Sequence, residues 1–226
     1  MPGHSRKTAN LLHEHQYAAY GCRLIVGLDE AGRGAWAGPV TAGAVCLPIE
    51  NRDLSKILRG VNDSKQLSPA QRARLSETIK TTALTWGIGS ASNNEIDTQG
   101  IVPATMLAII RAPDDALART PGLQPDVLFI DAMLLPQIRH FPQVSLIGGD
   151  ARSLSIAAAS ILAKVWRDTY MSAIDTEYPG YGFAAHKGYG VMAHHAALAQ
   201  LGVCALHRLT FAPIKSQLES NRRSDS

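Results

Sequence analysis

A chain of 226 residues, 46% apolar and 18% charged, is long enough to bury a sizeable core and too apolar to stay disordered. Cys22, Cys46 and Cys204 are odd in number and widely spaced with no Cys-x-x-Cys pairing, which excludes a disulfide framework and a zinc site and reads as reduced thiols. A formal charge of +3 permits a polyanionic partner without demanding one, while no run reaches the roughly 20 apolar residues of a bilayer span and MPGHSRKTAN lacks a signal-peptide core, so a cytoplasmic protein without membrane contact is expected.

Residues 1–20, with three histidines and several small polar positions, read as a tail or a loosely held helix. Residues 23–29 read as a first strand and 40–47 as a second, joined by a glycine-rich link too short for a crossover helix, which makes them antiparallel neighbours. Ser68-Pro69 supplies an N-cap and a first-turn proline for a helix through AQRARLSETIK, and residues 81–92 offer a third strand. A helical region over 98–119 is expected to be interrupted near Pro113.

Residues 126–130 form a short apolar run that ends in Asp131, as the first strand ends in Asp29. A strand at 144–147 leads through Gly148-Gly149-Asp150 into an alanine-rich stretch, 153–172, whose composition favours helix. A last helix is expected over 189–201, closed by Gly202, and the chain turns polar from Pro213. Strands alternating with helices after a hairpin predict an α/β fold with a central mixed sheet flanked by helices, one catalytic domain over 21–215, and tails at 1–20 and 216–226.

In such sheets functional groups gather beyond the carboxyl ends of strands. Asp29, Glu30 and Asp131 stand at two such ends and Asp150 at the next loop-to-helix junction. A single acid in such a place is usually a strand-end cap or a surface ion-pair partner, but several acids converging on one point repel each other unless cations lie between them. An all-oxygen set selects Mg²⁺ or Mn²⁺, and two such ions about 3.5–4 Å apart are a device for phosphodiester hydrolysis. Neighbours in a regular strand point to opposite faces, so Asp29 and Glu30 serve one ion only if the strand has ended or Glu30 uses its carbonyl; the glycines that follow suggest such a break.

Gly32-Arg33-Gly34 exposes backbone unshielded by Cβ atoms, able to approach a sugar hydroxyl. The same stretch fits G-x-G-x-x-[GA], the dinucleotide fingerprint, but Gly38-Pro39 interrupts where a helix must open and VTAGAVCL then reads as a strand. Lys65, among short polar residues, suits a phosphate, and Tyr189 in HKGYG places an aromatic face beside a cation for a sugar or base. His194, His195 and His207 receive no metal-binding role. A nucleic-acid-binding module without catalysis would need only these basic and aromatic contacts; a nuclease needs the acids as well.

VGLDEAGRGAWAGPV (26–40), NDSKQLSP (62–69), FIDAM (129–133), GDARSLSIAAASILAKVWRD (149–168), YGFAAHKGYGVMAHHAAL (181–198) and HRLTFAP (207–213), in this order, resemble bacterial ribonuclease HII over residues 24–214. The resemblance implies a ribonuclease H-like fold and an endonuclease using Mn²⁺ or Mg²⁺ that cuts the RNA strand of RNA–DNA hybrids. It also implies incision 5′ of a single ribonucleotide embedded in duplex DNA, giving 3′-hydroxyl and 5′-phosphate ends in ribonucleotide excision repair, by a monomer.

By the same resemblance Asp29, Glu30, Asp131 and Asp150 are the metal-binding acids, and Gly32, Arg33 and Gly34 contact the ribose 2′-hydroxyl. Tyr189 stacks on the sugar at the RNA–DNA junction, and Lys65 meets a phosphate. Asp168, mid-helix, is read as a structural ion-pair partner. The chain departs from the family's usual pattern at Gly149, where lysine is common, Ala132, where glycine is, Val191, where threonine is, and Thr210, where serine is.

Overall fold

The computed structural model describes residues 8–138 and 141–224, with side chains to 219; expectations that fall on residues 1–7 and 225–226 lie outside them. The apolar run after Arg23 becomes β1 (Ile25–Ala31), which returns through the glycine-rich link to pair antiparallel with β2 (Val40–Cys46), Asp29 opposite Gly43. Antiparallel to β2 lies β3 (Thr85–Ala91) at one edge of the sheet. β4 (Val127–Asp131) and β5 (Gln143–Leu146) add in parallel on the other side of β1, giving the order β3-β2-β1-β4-β5 and the expected mixed sheet.

Around the sheet run α1 (Leu12–Ala18), α2 (Leu54–Ile57), α3 (Pro69–Thr82), α4 (Asn93–Gln99), α5 (Ile101–Arg119), α6 (Leu154–Ala173), α7 (Phe183–His186), α8 (Met192–Leu201) and α9 (Ala212–Ser224). Alternation along the strands divides the core in two. Ile25, Val45, Val127 and Phe129 pack with α3 and α6, whereas Val26, Leu28, Ala42, Leu128 and Ile130 pack with α5. No described helix is long and apolar enough to cross a membrane.

Glycines inside the strands set how close the helices come. A Cβ on Gly27 would stand 2.2 Å from the backbone carbon of Ser155 in α6, and one on Gly43 would stand 2.3 Å from the Ala159 carbonyl oxygen. On the opposite face Gly87 and Gly89 do the same for α5, 2.3 and 2.1 Å from the carbonyl oxygens of Ala112 and Ala108. The sheet is thus pressed between two long alanine-rich helices.

Three expectations change. Helix α5 runs unbroken through Pro113, and the break falls at Gly100, whose φ of 88° ends α4. Proline removes one N–H and costs about 3 kcal/mol in a helix interior, but the alanine face of α5 seated on Gly87 and Gly89 holds the helix together across that gap. The last expected helix starts at Met192, not 189, because Gly190 lies against the Trp36 ring where a Cβ would come within 2.1 Å. The stretch expected as a C-terminal tail carries most of α9, whose Ile214 is fully buried, and of the two readings of residues 1–20, tail or loosely held helix, the helix is present as α1, held by a fully buried Glu14.

Gly27→Ala is expected to lower stability by about 1–3 kcal/mol, the cost of overpacking against atoms that cannot turn aside, as measured by urea denaturation. An unchanged midpoint would show that α6 can recede from the sheet.

Candidate active site

The parallel strands β1, β4 and β5 finish at one edge of the sheet, and their termini carry the acids. Asp29 follows the side-chain parity of Gly27 and faces α6; Glu30 follows Leu28 and faces the α5 side. The strand does not end before the acids, as expected from the glycines, but continues to Ala31. Glu30 therefore turns away from Asp29 and accepts a hydrogen bond from Arg33 at 3.2 Å.

Asp29 is buried, and burial, with the charges of Glu30 and Asp131, lifts its carboxyl well above the usual carboxylate range against the opposing hydrogen bond from Ser160 in α6. Asp131 lies one residue beyond the Leu28–Ile130 pair and accepts the Gly149 N–H at 2.7 Å. Ala132, next along the chain, has a φ of 49°, a left-handed conformation that favours the glycine of the usual family pattern. Asp150 sits in a 3₁₀ turn, Gly149–Ala151. Its carboxyl is raised by burial and by the nearby carboxylates of Asp63 and Asp131, and lowered by Lys65.

Lys65, on the 3₁₀ turn Ser64–Gln66, stands among these groups. Burial opposes its charge, but the carboxylates of Asp29, Asp150, Asp63 and Asp131 outweigh burial and raise its pKa. Arg72 holds this turn by donating to the Ser64 and Leu67 carbonyls while pairing with Asp168 at 3.5 Å; Lys164 pairs with Asp168 at 2.8 Å. Asp168 is thus an ion-pair partner on α6. Asp63 was not among the expected residues; its place beside Lys65 in NDSK was the available signal.

Among the described residues no three His, Cys, Asp or Glu side chains are close enough to hold a metal ion in a ready-made cage. What the structure gathers is an all-oxygen set of Asp29, Asp131, Asp150 and Asp63 with one ammonium among them. Carboxylates in excess, without nitrogen or sulfur donors, suit a hard divalent cation.

The Gly32-Arg33-Gly34 loop is held from beneath by two arginines that the sequence did not single out. Arg208 donates from Nε to the Gly38 carbonyl at 3.0 Å and from its two Nη atoms to the Arg33 and Gly32 carbonyls, each at 2.8 Å. Arg167 donates to the carbonyls of Pro39, Lys187 and Ala37 at 2.8, 3.0 and 3.1 Å. Both side chains are fully buried, and burial pushes Arg208 down to about 9, still charged at neutral pH. Gly32, with a φ of 92°, has Arg167 Nε 2.1 Å from where a Cβ would lie.

Gly34 has open space around it, Arg33 and Gly34 are exposed, and no described group accepts their backbone N–H. No helix opens at these glycines; β2 follows, which removes the dinucleotide fingerprint. Arg167 also ties this loop to the one bearing Tyr189, as does the Trp36 N–H donated to Gly188 at 2.8 Å. Tyr189 is half-buried, with Lys164 and Arg167 at 5.2 and 5.3 Å from its ring centre.

Behind Tyr189 runs a chain of imidazoles. Its carbonyl is contacted by His194 Nδ1 at 3.0 Å, His194 and His207 meet Nε2 to Nε2 at 3.1 Å, and the Cys204 N–H reaches His207 Nδ1 at 3.0 Å. A carbonyl only accepts and an N–H only donates, so each ring carries one proton: His194 on Nδ1, His207 on Nε2. Burial holds both rings neutral, with pKa values down to about 4.

Three comparisons place this geometry among known proteins. The sequence profile named Ribonuclease HII matches residues 26–214. A ribonuclease HII of Roseiflexus castenholzii is 49% identical over 211 residues, covering 93% of this chain and 92% of its own; one from Dehalococcoides mccartyi is 48% identical over 196 residues, 87% and 89% of the two chains. Among solved structures, ribonuclease H2 from Pyrococcus horikoshii OT3 shares the fold with a TM-score of 0.69 at 24% identity, covering 88% of this chain and 99% of its own. Bst-RNase HIII in complex with Mn²⁺ gives 0.69 at 22% identity, covering 94% and 73%.

Because the depressed pKa values belong to the folded state, unfolding takes up protons on His194 and His207 below their ordinary value of 6.5. Their contribution is intact above pH 6.5 and is lost as pH falls toward 4. Thermal melts across that window are expected to show a falling Tm, with a shallower fall in His207→Asn.

Proposed function

Since the chain belongs to the ribonuclease HII family and is thereby an endoribonuclease of the ribonuclease H type, we propose that it cuts the RNA strand of RNA–DNA hybrids and incises 5′ of a single ribonucleotide within duplex DNA. The products carry 3′-hydroxyl and 5′-phosphate ends. The observation that carries this reading is the meeting of Asp29, Asp131, Asp150 and Lys65 at one sheet edge.

Asp29, Asp131 and Asp150, with Glu30 through its carbonyl, are the groups that would hold Mn²⁺ or Mg²⁺, in keeping with a relative in fold described with Mn²⁺. When bound, two such ions supply Lewis-acid activation of water and neutralise charge on the leaving 3′ oxygen. The chain's own residues do the rest. Exposed amides of Arg33 and Gly34 donate to the ribose 2′-hydroxyl oxygen, an atom DNA lacks. Lys65 binds a phosphate oxygen, its ammonium freed from the carboxylates as divalent charge takes its place.

The Tyr189 ring stacks on the sugar one nucleotide beyond the ribose, where a second 2′-hydroxyl would be crowded out. Arg167, by joining the two loops, fixes the distance between the 2′-hydroxyl reader and this stacking face. Discrimination between a lone ribonucleotide and a long hybrid follows from that spacing.

Asp29→Asn is expected to abolish cleavage of a labelled duplex holding one ribonucleotide while hybrid binding in EDTA stays near wild type; near-normal cutting would overturn the assignment of the acids. Wild-type protein that binds this duplex yet leaves it intact with Mn²⁺ present would instead point to a binding module. Tyr189→Ala removes a stacking contact of about 1–3 kcal/mol, roughly 5- to 150-fold, and is expected to spend that loss on single-ribonucleotide junctions. Equal loss on long hybrids, measured as kcat/KM on both substrates, would contradict a junction-reading role.

A further inference from the structure

Helix α1 lies outside residues 26–214, the segment matched by the family profile. Its Glu14 is fully buried, and no cation pairs with it among the described ion pairs. One carboxylate oxygen, Oε1, accepts from the Ser153 hydroxyl at 2.7 Å and from the Ser155 N–H at 2.9 Å, both in the opening turn of α6. The other, Oε2, has no partner. A buried oxygen without a hydrogen bond costs free energy that an apolar side chain would not. Something other than packing calls for the acid.

The bonds that leave Ser153 show what it is. Ser153 caps α6, its hydroxyl accepting the Ile156 N–H at 3.3 Å while donating to Glu14. Its own N–H donates to the Gly149 carbonyl at 2.8 Å, and the Gly149 N–H donates to Asp131 Oδ1 at 2.7 Å. Asp150 stands on that same 3₁₀ turn. Hydrogen bonds therefore run from Glu14 through Ser153 and Gly149 to Asp131, and Asp150 is joined to Gly149 along the chain.

The segment before α1 adds to it: the Asn10 carbonyl accepts the Leu154 N–H at 2.9 Å, and the Ala9 N–H donates to Asn62, next to Asp63, at 3.2 Å.

We propose that Glu14 is a positioning residue for the reaction: through Ser153 and the Gly149 turn it sets where the Asp131 and Asp150 carboxylates stand, and so how tightly the site takes up a divalent ion. This rests on the reading of Asp29, Asp131 and Asp150 as the ion-binding acids. Partners one shell removed from a metal typically alter its affinity by 10–100-fold. Glu14 would act at the near end of that range, since it reaches the acids through the backbone of a turn.

The test is calorimetric titration of Mn²⁺ alone, without nucleic acid, into full-length wild type, Glu14→Ala, Glu14→Gln, Ser153→Ala and Asp29→Asn, each first checked for folding by circular dichroism and melting. Glu14→Ala is expected to bind Mn²⁺ about tenfold more weakly, Ser153→Ala several-fold, and Glu14→Gln, whose amide oxygen can accept both bonds, close to wild type.

Folded Glu14→Ala and Ser153→Ala with wild-type Mn²⁺ affinity, whatever their Tm, would overturn the proposal and leave Glu14 a structural latch. Should Glu14→Ala fail to fold, Ser153→Ala decides alone. Unchanged binding in Asp29→Asn would bring down the reading of the acids and this inference with it, whereas weakened binding there beside unchanged Glu14→Ala brings down the inference only.

Discussion

Two guanidinium groups carried into the interior, paired with no carboxylate among the described ion pairs, organise the Gly32–Pro39 loop. Arg167 and Arg208 place six N–H donors on six backbone carbonyls, five of them in the stretch from Gly32 to Pro39 and the sixth at Lys187. A planar fork with fixed donor directions dictates loop shape in a way an ammonium could not. Because the acceptors are dipoles rather than acids, no nearby carboxylate is used up in neutralising the arginines.

The same economy of charge runs through the strand edge. The glycines of β1 and β2 let α6 sit on the sheet, which brings Ser160 onto Asp29 and carries Lys164, Arg167 and Asp168 along one helix toward the Tyr189 loop. One helix therefore fixes both the buried acid and the Tyr189 ring. Asp168, Arg72 and the turn bearing Lys65 form a second brace from the same helix. The Gly32–Gly34 loop, the Tyr189 loop and the Lys65 turn are each pinned to α6.

The strands that end in acids were legible because an apolar run stopped by a carboxylate is a local pattern, and both Asp29 and Asp131 are of that kind. The helix after Ser68 was legible for the same reason, its cap and proline being adjacent in the chain. Arg167 and Arg208 were not, since a buried arginine looks like any surface arginine until the carbonyls that receive it, all but that of Lys187 more than a hundred residues away in sequence, are in place. Glu14 was hidden likewise in what reads as a tail.

The strand end suggested by the two glycines after Glu30 does not occur, since the pairing with β2 continues to Ala31. The glycines of β1, β2 and β3 were visible as letters, but the close helix approach they permit shows only in three dimensions.

Asp29 and Asp131 become neighbours only through the pairing of β1 with β4, strands divided by β2, β3 and α5. Closing a loop of that length is entropically slow to reward, because distant contacts must form before any of them helps. On the ribosome, an emerging chain that has made its first hairpin has Asp29 and Glu30 in place and no Asp131 to set against them. The neighbourhood of these acids thus forms late in synthesis, after β4 has been translated, and a fragment ending before β4 carries the first motif without its partner acid.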